Sequence, residues 1–402
     1  MKREAPWCLV LSGGGAKGVY HIGAWKALKE LGIPVGGFVG NSIGAVIGAF
    51  LAGGKEAELD EIVGHIRMNT LVTVPEGPGA WREVWRSFVR RGGLDTGPQR
   101  RLLERHLDEA VIRASGYDLG IVTVNLSDLQ PRELFLEDME PGTLVDYLMA
   151  TSAFPGFALP EIGGKRYVDG GLWDNLPYDL ARSRGWRKVI LLDVRGPGRN
   201  RRPDFGEGET VYIRRSVNLG GAFDFDPRFL EQFRTLGYLD TLRAFGQLGG
   251  WYTFVRPDPG LERRFTDRPP PKLFPRVLAH DPRTLMKLLD CAASILELDR
   301  IRAWTYRELA AEVAAAAARD DAEVHRSAGA TGLGAAVADA VRSGVLGVTP
   351  YRSWLLVQAH FSGPPRKVLE RMLIRLHPTL PAGLAYFDRA ASFCARLHPR
   401  GR

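Results

Sequence analysis

The sequence predicts an α/β fold with a mostly parallel central sheet sandwiched by helices, followed by a helical C-terminal region. Three observations carry this expectation. Short strand-like apolar runs alternate with helix-length runs up to about residue 250. Several of those strands end in glycine-rich turns that lead straight into a helix pattern. Beyond a Pro-rich, charged stretch the spacing of apolar residues is helical throughout. The expected organisation is an α/β domain over 1–250, a linker over 251–276 and a helical region over 277–402.

The bulk composition suits such a chain. With 402 residues and 45% hydrophobic content it can bury one large core or two smaller ones. No apolar run approaches the ~20 residues of a membrane span, and the start passes directly into strand-like Cys8-Leu9-Val10-Leu11 without a signal-peptide pattern. Cys8, Cys291 and Cys394 are too scattered for a disulfide framework or a metal-ligand set. A reducing, cytoplasmic setting with buried thiols is the simplest expectation. The net charge is +8, and residues 363–402 hold eight Lys and Arg against only Glu370 and Asp388. That tail favours an anionic surface, and a membrane surface is a partner it admits. The aromatic interleaving that nucleic acid would call for is absent.

Taken in order, residues 7–12 read as a buried strand running into Gly13-Gly14-Gly15-Ala16-Lys17-Gly18. A helix follows through Val19, Ile22, Trp25, Leu28 and Leu31, closing at Gly32. The glycine loop fits G-x-G-x-x-G, yet a dinucleotide fold needs an acidic residue about 20 positions on, where Gly36-Gly37-Phe38-Val39-Gly40 stands. A Walker A loop fails too, because Val19 follows Gly18 where lysine is required. What remains is close packing, or an oxyanion hole built from unobstructed glycine N–H groups.

Phe38-Val39-Gly40-Asn41-Ser42-Ile43-Gly44 is a strand, a sharp turn and the start of a helix rich in small and apolar residues. A serine at such an elbow is pushed out at a helix N-terminus, where free N–H groups favour negative charge. The pentapeptide alone is weak, since composition would produce one in roughly one such chain in five. Its strand-to-helix context is what gives it weight.

Residues 55–115 are less informative: a Pro/Gly break at 75–79, a Trp81, Trp85, Phe88 stripe that suits a core or a lid, a turn at 92–95, and a helix over 98–113. Strands follow at 119–125 and 133–136, then a helix near 143–152. The next strand, Lys165–Val168, ends at Asp169-Gly170-Gly171, and Asp174-Asn175-Leu176-Pro177 opens another helix. A bare Asp-Gly-Gly is a common turn. Lys188–Val194 is the clearest buried strand, and 210–213 adds one more. A helix runs through Leu236, Leu239, Leu242 and Phe245. Helical patterns then occupy 282–325, 335–346, 352–361, 365–377 and 382–397. Lys367, Arg371 and Arg375 lie beside Val368, Leu369, Met372, Leu373 and Leu376, which suits a core-packed helix with a solvated face or a membrane-surface helix.

Two arrangements could activate Ser42. A triad needs a histidine and an orienting acid, such as Asp193 followed by His280, His360 or His377, none in a persuasive setting; His21 lies inside the first helix. Alternatively, a carboxylate acts directly as base if burial raises its pKa, as Asp169 at a strand-end turn could.

Ser12–Gly18, Gly40-Asn41-Ser42-Ile43-Gly44 and Asp169-Gly170-Gly171 resemble, in the same order, the three blocks of the patatin-like phospholipase family, and Ala150–Pro155 is similar to its Ala/Ser/Pro block. The resemblance covers roughly residues 7–215. It implies a patatin-like fold, a Ser42 nucleophile with Asp169 as general base, and an oxyanion hole from Gly13, Gly14 and Gly15 together with Ile43. Gly18, Gly40, Gly44, Gly170 and Gly171 support the motifs. It further implies calcium-independent acyl-ester cleavage on phospholipids, lysophospholipids or neutral acylglycerols, without metal or cofactor. Asn41 replaces the threonine of many members and is expected to leave the chemistry unaffected. A serine esterase or thioesterase on soluble acyl substrates, or a catalytically idle lipid-binding protein, are the alternatives.

Overall fold

The computed structural model describes residues 5–73, 93–201, 206, 208–267, 282–328, 349–360, 363–389 and 391. The 75–79 break, the Trp81, Trp85, Phe88 stripe, Pro269–Pro271, His280, the helix expected over 335–346 and Cys394 lie outside the described residues. The chain divides into two compact units, Met1–Ala244 and Phe245–Arg402.

The first unit is built on an eight-stranded sheet. Its strands are β1 (Trp7–Leu11), β2 (Val35–Gly40), β3 (Asp118–Asn125), β4 (Gln130–Phe135), β5 (Glu161–Ile162), β6 (Lys165–Asp169), β7 (Lys188–Asp193) and β8 (Glu209–Arg214). The order is β5-β6-β3-β2-β1-β7-β8, with β4 also on β3. β8, β7, β1, β2 and β3 are mutually parallel. Their central members are apolar along their length, as strands covered on both faces must be: β1 is wholly buried, and β7 buried beyond Lys188.

The helices of this unit are α1 (Val19–Glu30), α2 (Ile43–Ala52), α3 (Glu56–His65), α4 (Met68–Leu71), α5 (Gly97–His106), α6 (Glu109–Ala114), α7 (Leu144–Thr151), α8 (Tyr178–Ser183) and α9 (Pro227–Ala244). α2 is buried from Gly44 to Ala52, which is why its sequence is apolar all round. α1 and α9 meet backbone to backbone: a Cβ on Gly23 would lie 1.9 Å from the Arg234 carbonyl oxygen, and one on Gly237 2.0 Å from that of Tyr20. The helix expected over 98–113 is two helices. Asp108 breaks it by accepting the Ala110 and Val111 amides (2.9 and 3.3 Å) as an N-cap.

The sheet departs from the parallel rule where it matters most. β2 pairs with β3 only as far as Gly40 opposite Ile121. From Thr123 onward that same edge of β3 is taken by β6, running antiparallel, with Asp169 opposite Thr123, while β4 occupies the other edge. β2 and β6 therefore approach end to end, and Asp169 at the close of β6 meets the turn that follows Gly40.

The second unit has a small parallel pair, β9 (Phe254–Val255) and β10 (Ala303–Trp304). Its helices are α10 (Pro259–Thr266), α11 (Thr284–Ile295), α12 (Tyr306–Ala328), α13 (Pro350–His360), α14 (Gly363–Leu376) and α15 (Leu380–Arg389). The described part of the stretch expected as linker is thus β9 and α10, whose Leu261 and Phe265 join the core with Leu285, Leu289 and Trp304. Two buried carboxylates hold it there. Glu262 accepts the Leu285 and Met286 amides (2.9 and 2.8 Å) and the Tyr306 hydroxyl (2.6 Å). Asp290 accepts the amides of Trp251, Tyr252 and Thr253 (2.7, 2.9 and 2.7 Å). The run expected as helical over 282–325 is interrupted between α11 and α12, where Glu297 adopts φ 52° and β10 pairs with β9.

Among the described residues Cys8 is buried and Cys291 half-buried, both as free thiols that burial pushes to higher pKa, Cys291 to about 12. No described helix is long and apolar enough to cross a membrane.

Candidate active site

Ser42 sits between β2 and α2 with φ 52° and ψ −128°. A side chain rarely adopts positive φ, and holding it there costs about 1–3 kcal/mol. Neighbouring contacts impose it. The Ser42 amide donates to Thr151 Oγ1 (2.9 Å), and Thr151 is anchored in turn through its hydroxyl on the Val122 carbonyl of β3 (2.6 Å). The bend also needs its glycines: a Cβ on Gly44 would lie 2.2 Å from the Leu11 carbonyl oxygen, and one on Gly40 2.6 Å from the Ala45 nitrogen.

Asp169 is 6% exposed. Its Oδ1 accepts the Gly171 amide (2.7 Å) and Asn41 Nδ2 (3.1 Å), and Ser42 lies near enough to favour the charged form of the same carboxylate. Burial raises its pKa above the ordinary aspartate range, and the hydrogen bonds from Gly171 and Asn41, with Ser42 nearby, act against that rise. Gly170 and Gly171 are both packed on Asn41: a Cβ on either would come within 2.5 and 2.9 Å of its amide atoms.

Asn41, expected to be chemically indifferent, is instead the hub of the site. Wholly buried, it donates through Nδ2 to Asp169 and to Asn175 Oδ1 (both 3.1 Å), and its Oδ1 lies 3.2 Å from the Thr151 hydroxyl. Asn175 then ties in the glycine loop, donating from Nδ2 to the Gly13 carbonyl (3.3 Å) while its own carbonyl accepts the Gly13 amide (3.2 Å). The sequence places Thr151 and Asn175 beside the motifs without assigning them a part; an Asn four residues past Gly171 is the available signal.

The Gly13 amide, expected in an oxyanion hole, is therefore already engaged. The Ala16 amide is taken by the Ala222 carbonyl (2.7 Å). Among the described residues the amides of Gly14, Gly15 and Ile43 have no protein acceptor. Gly15 adopts φ +57°, and a Cβ there would lie 2.3 Å from the Ala222 carbonyl oxygen, so the position calls for glycine.

Lys17 is 7% exposed and has no carboxylate partner among the described residues. Burial, and after it the nearby Arg215 and Arg195 guanidinium groups, lower its pKa. Among the described residues no histidine lines the cavity at Ser42: His21 Nε2 lies 2.9 Å from the Ser12 carbonyl, and burial depresses its pKa to about 4. Asp193 accepts the Tyr212 hydroxyl (2.6 Å) and the Arg195 amide (2.7 Å) instead of orienting a base. No described group of His, Cys, Asp and Glu could hold a metal ion.

Ser42 and Asp169 open into an apolar cavity walled by residues including Ile22, Val46, Phe50, Ile62 and Leu102. Phe154, Phe157 and Phe223 form an aromatic rim on it, with ring centroids 5.5–6.4 Å apart. The Ser152 hydroxyl also lines it, buried and without a partner.

A layered α/β sheet that presents a strained serine between strand and helix, beside a glycine loop and a buried carboxylate, defines a protein of the nucleophile-elbow class. Residues 9–182 match the patatin-like phospholipase family. It is 30% identical over 246 residues to the patatin-like phospholipase domain-containing protein ZK370.4 of Caenorhabditis elegans, covering 58% of this chain and 17% of the relative. To lysophospholipase NTE1 of Saccharomyces cerevisiae it is 29% identical over 246 residues, covering 59% of this chain and 14% of the relative. The match thus spans less than a fifth of either relative. Among solved structures, VipD from Legionella pneumophila aligns with 73% of this chain and 76% of its own, at 13% identity and a TM-score of 0.38.

Proposed function

We propose that this chain is a lipid acyl hydrolase in which Ser42 and Asp169 act as a catalytic dyad through an acyl-enzyme. The observation that carries the reading is Ser42, held at a strained elbow, together with the buried carboxylate of Asp169 in the lining of one apolar cavity. Asp169 takes the hydroxyl proton as Ser42 Oγ attacks the ester carbonyl, and its raised pKa makes it a stronger base than a solvated aspartate. The resulting tetrahedral oxyanion is held by the Gly14, Gly15 and Ile43 amides, aided by the α2 N-terminus. As the C–O bond breaks, Asp169 returns the proton to the leaving alcohol, and the acyl group stays on Ser42. Water, deprotonated by Asp169, then releases the fatty acid and restores the serine.

The cavity's apolar walls suit an acyl chain, and the positive charges of Lys17, Arg195 and Arg215 favour a substrate with a phosphate, such as a phospholipid or lysophospholipid. The names of the relatives, phospholipase and lysophospholipase, point the same way. Each step uses this chain's own groups, so turnover is expected to continue in a calcium chelator. The test is fluorophosphonate labelling of wild type and Ser42→Ala, followed by analysis of fatty acid released from phospholipid vesicles and from soluble acyl esters. Label that requires Ser42, with fatty acid released from lipid, supports the reading; a folded wild type that takes no label refutes it.

A further inference from the structure

Helix α14 is tied to the second unit by one side. Leu373 packs on the core, and Glu370 accepts Arg366 Nε (2.8 Å) and Gln358 Nε2 of α13 (2.9 Å). The other side is bare. Val368, Met372 and Leu376 are 50, 53 and 68% exposed, and their fourth-residue spacing places them in one stripe. Lys367, Arg371 and Arg375 repeat with the same spacing one residue earlier, forming a second stripe about 100° around the helix. Among the described residues no carboxylate pairs with any of the three; the ion pair on this helix is Arg366–Glu370. The same unit buries such residues where it can: Leu285, Leu288 and Leu289 on α11 are fully enclosed.

We propose that α14 docks this protein on an anionic lipid membrane, the Val368-Met372-Leu376 stripe entering the acyl boundary and the basic stripe lying against headgroup phosphates. Charge complementarity selects this occupant. The face offers cations and thioether or aliphatic side chains and no acid, the pairing that interfacial helices use. A second copy of the chain would set two uncompensated basic stripes against each other. The surrounding sequence, 363–402, carries six more positive than negative side chains, which a negatively charged surface attracts further.

The test uses the full chain and vesicles of ether-linked lipids, which contain no cleavable ester, so the outcome does not depend on Ser42 chemistry. Vesicles of phosphatidylcholine alone are compared with vesicles containing about one-third phosphatidylglycerol in co-sedimentation, with circular dichroism as a control for folding. Wild type is expected to pellet with the anionic vesicles, less so as salt rises. The triple change Lys367→Gln, Arg371→Gln, Arg375→Gln should lower partitioning about a hundredfold, roughly fivefold per charge. Met372→Ser should lower it with the charge intact. Equal binding to both vesicle types, or unchanged partitioning of the triple variant, overturns the proposal. So does a dimer in sedimentation velocity that Met372→Ser dissolves.

Discussion

Replacing Asn41 by alanine separates the electrostatic part of the site from its architecture. Asn41 Nδ2 is one of the donors that favour the charged form of Asp169 while burial disfavours it. A hydrogen bond to a charged acceptor is worth about 1.5–3 kcal/mol, and about 1.4 kcal/mol corresponds to one pH unit. Losing this one should raise the Asp169 pKa by roughly one to two units. In the proposed mechanism the base works when deprotonated, so kcat/KM falls as pH drops through that pKa, and the acid limb of the profile should move to higher pH by the same amount. The assay is hydrolysis of a soluble acyl ester over a pH series. Asn175→Ala is the control: it takes away the other acceptor of Asn41 Nδ2 but leaves the bond to Asp169 in place, and should leave the limb where it is. An unmoved limb in Asn41→Ala, or an equal shift in both variants, would refute the argument that this amide tunes the base.

Asp169→Asn should remove nearly all turnover yet stabilise the fold. The raised pKa means that protonation stabilises the native state below the ordinary aspartate pKa, a contribution lost as pH rises through the folded-state value. The variant should therefore melt about 2–4 °C higher than wild type at pH 8, with the gap closing under acid, by differential scanning fluorimetry. Gly44→Ala forces a Cβ to within 2.2 Å of the Leu11 carbonyl oxygen and should cost about 1–3 kcal/mol in chemical denaturation and most of the labelling of Ser42. Phe223→Ala opens the aromatic rim on the cavity and should flatten the dependence of kcat/KM on acyl length in a series of esters; an unchanged series would place the acyl chain elsewhere. Glu262→Ala leaves two buried amides and the Tyr306 hydroxyl without their acceptor and should lower stability of the second unit by about 3 kcal/mol or more, read by urea titration.

That Ser42 stands at a strand-to-helix elbow and Asp169 at a strand-end turn is legible in the chain because each belongs to a local event. A strand ending in Gly40-Asn41-Ser42 can turn into a helix in few ways, and those ways expel the serine. Asp169 before two glycines is likewise a turn whose carboxylate has little beside it in sequence. The buried character of β1, β7 and α2 was equally local, written in continuous apolar runs. The contacts of Asn41 are not legible locally, because its partners Asp169, Thr151 and Asn175 lie more than a hundred residues away along the chain. The 98–113 helix was read through Asp108 because an acidic residue between two apolar stretches fits a helix surface as well as an N-cap.

What the sequence by itself determined is the kind of protein: a layered α/β unit with a serine elbow, a glycine loop and an aspartate turn, joined to helices bearing a basic tail. Those features follow from backbone propensities and apolar periodicity, which act over a few residues. Tertiary structure alone decided that β6 runs antiparallel into the end of β2 and so delivers Asp169 to Ser42. It also decided that the Gly13 amide is spent on Asn175 while those of Gly14, Gly15 and Ile43 find no acceptor among the described residues, and that Val368, Met372 and Leu376 face outward. Strand direction, hydrogen-bond partners and exposure depend on what distant segments supply. The same residue pattern is compatible with either outcome until those segments arrive.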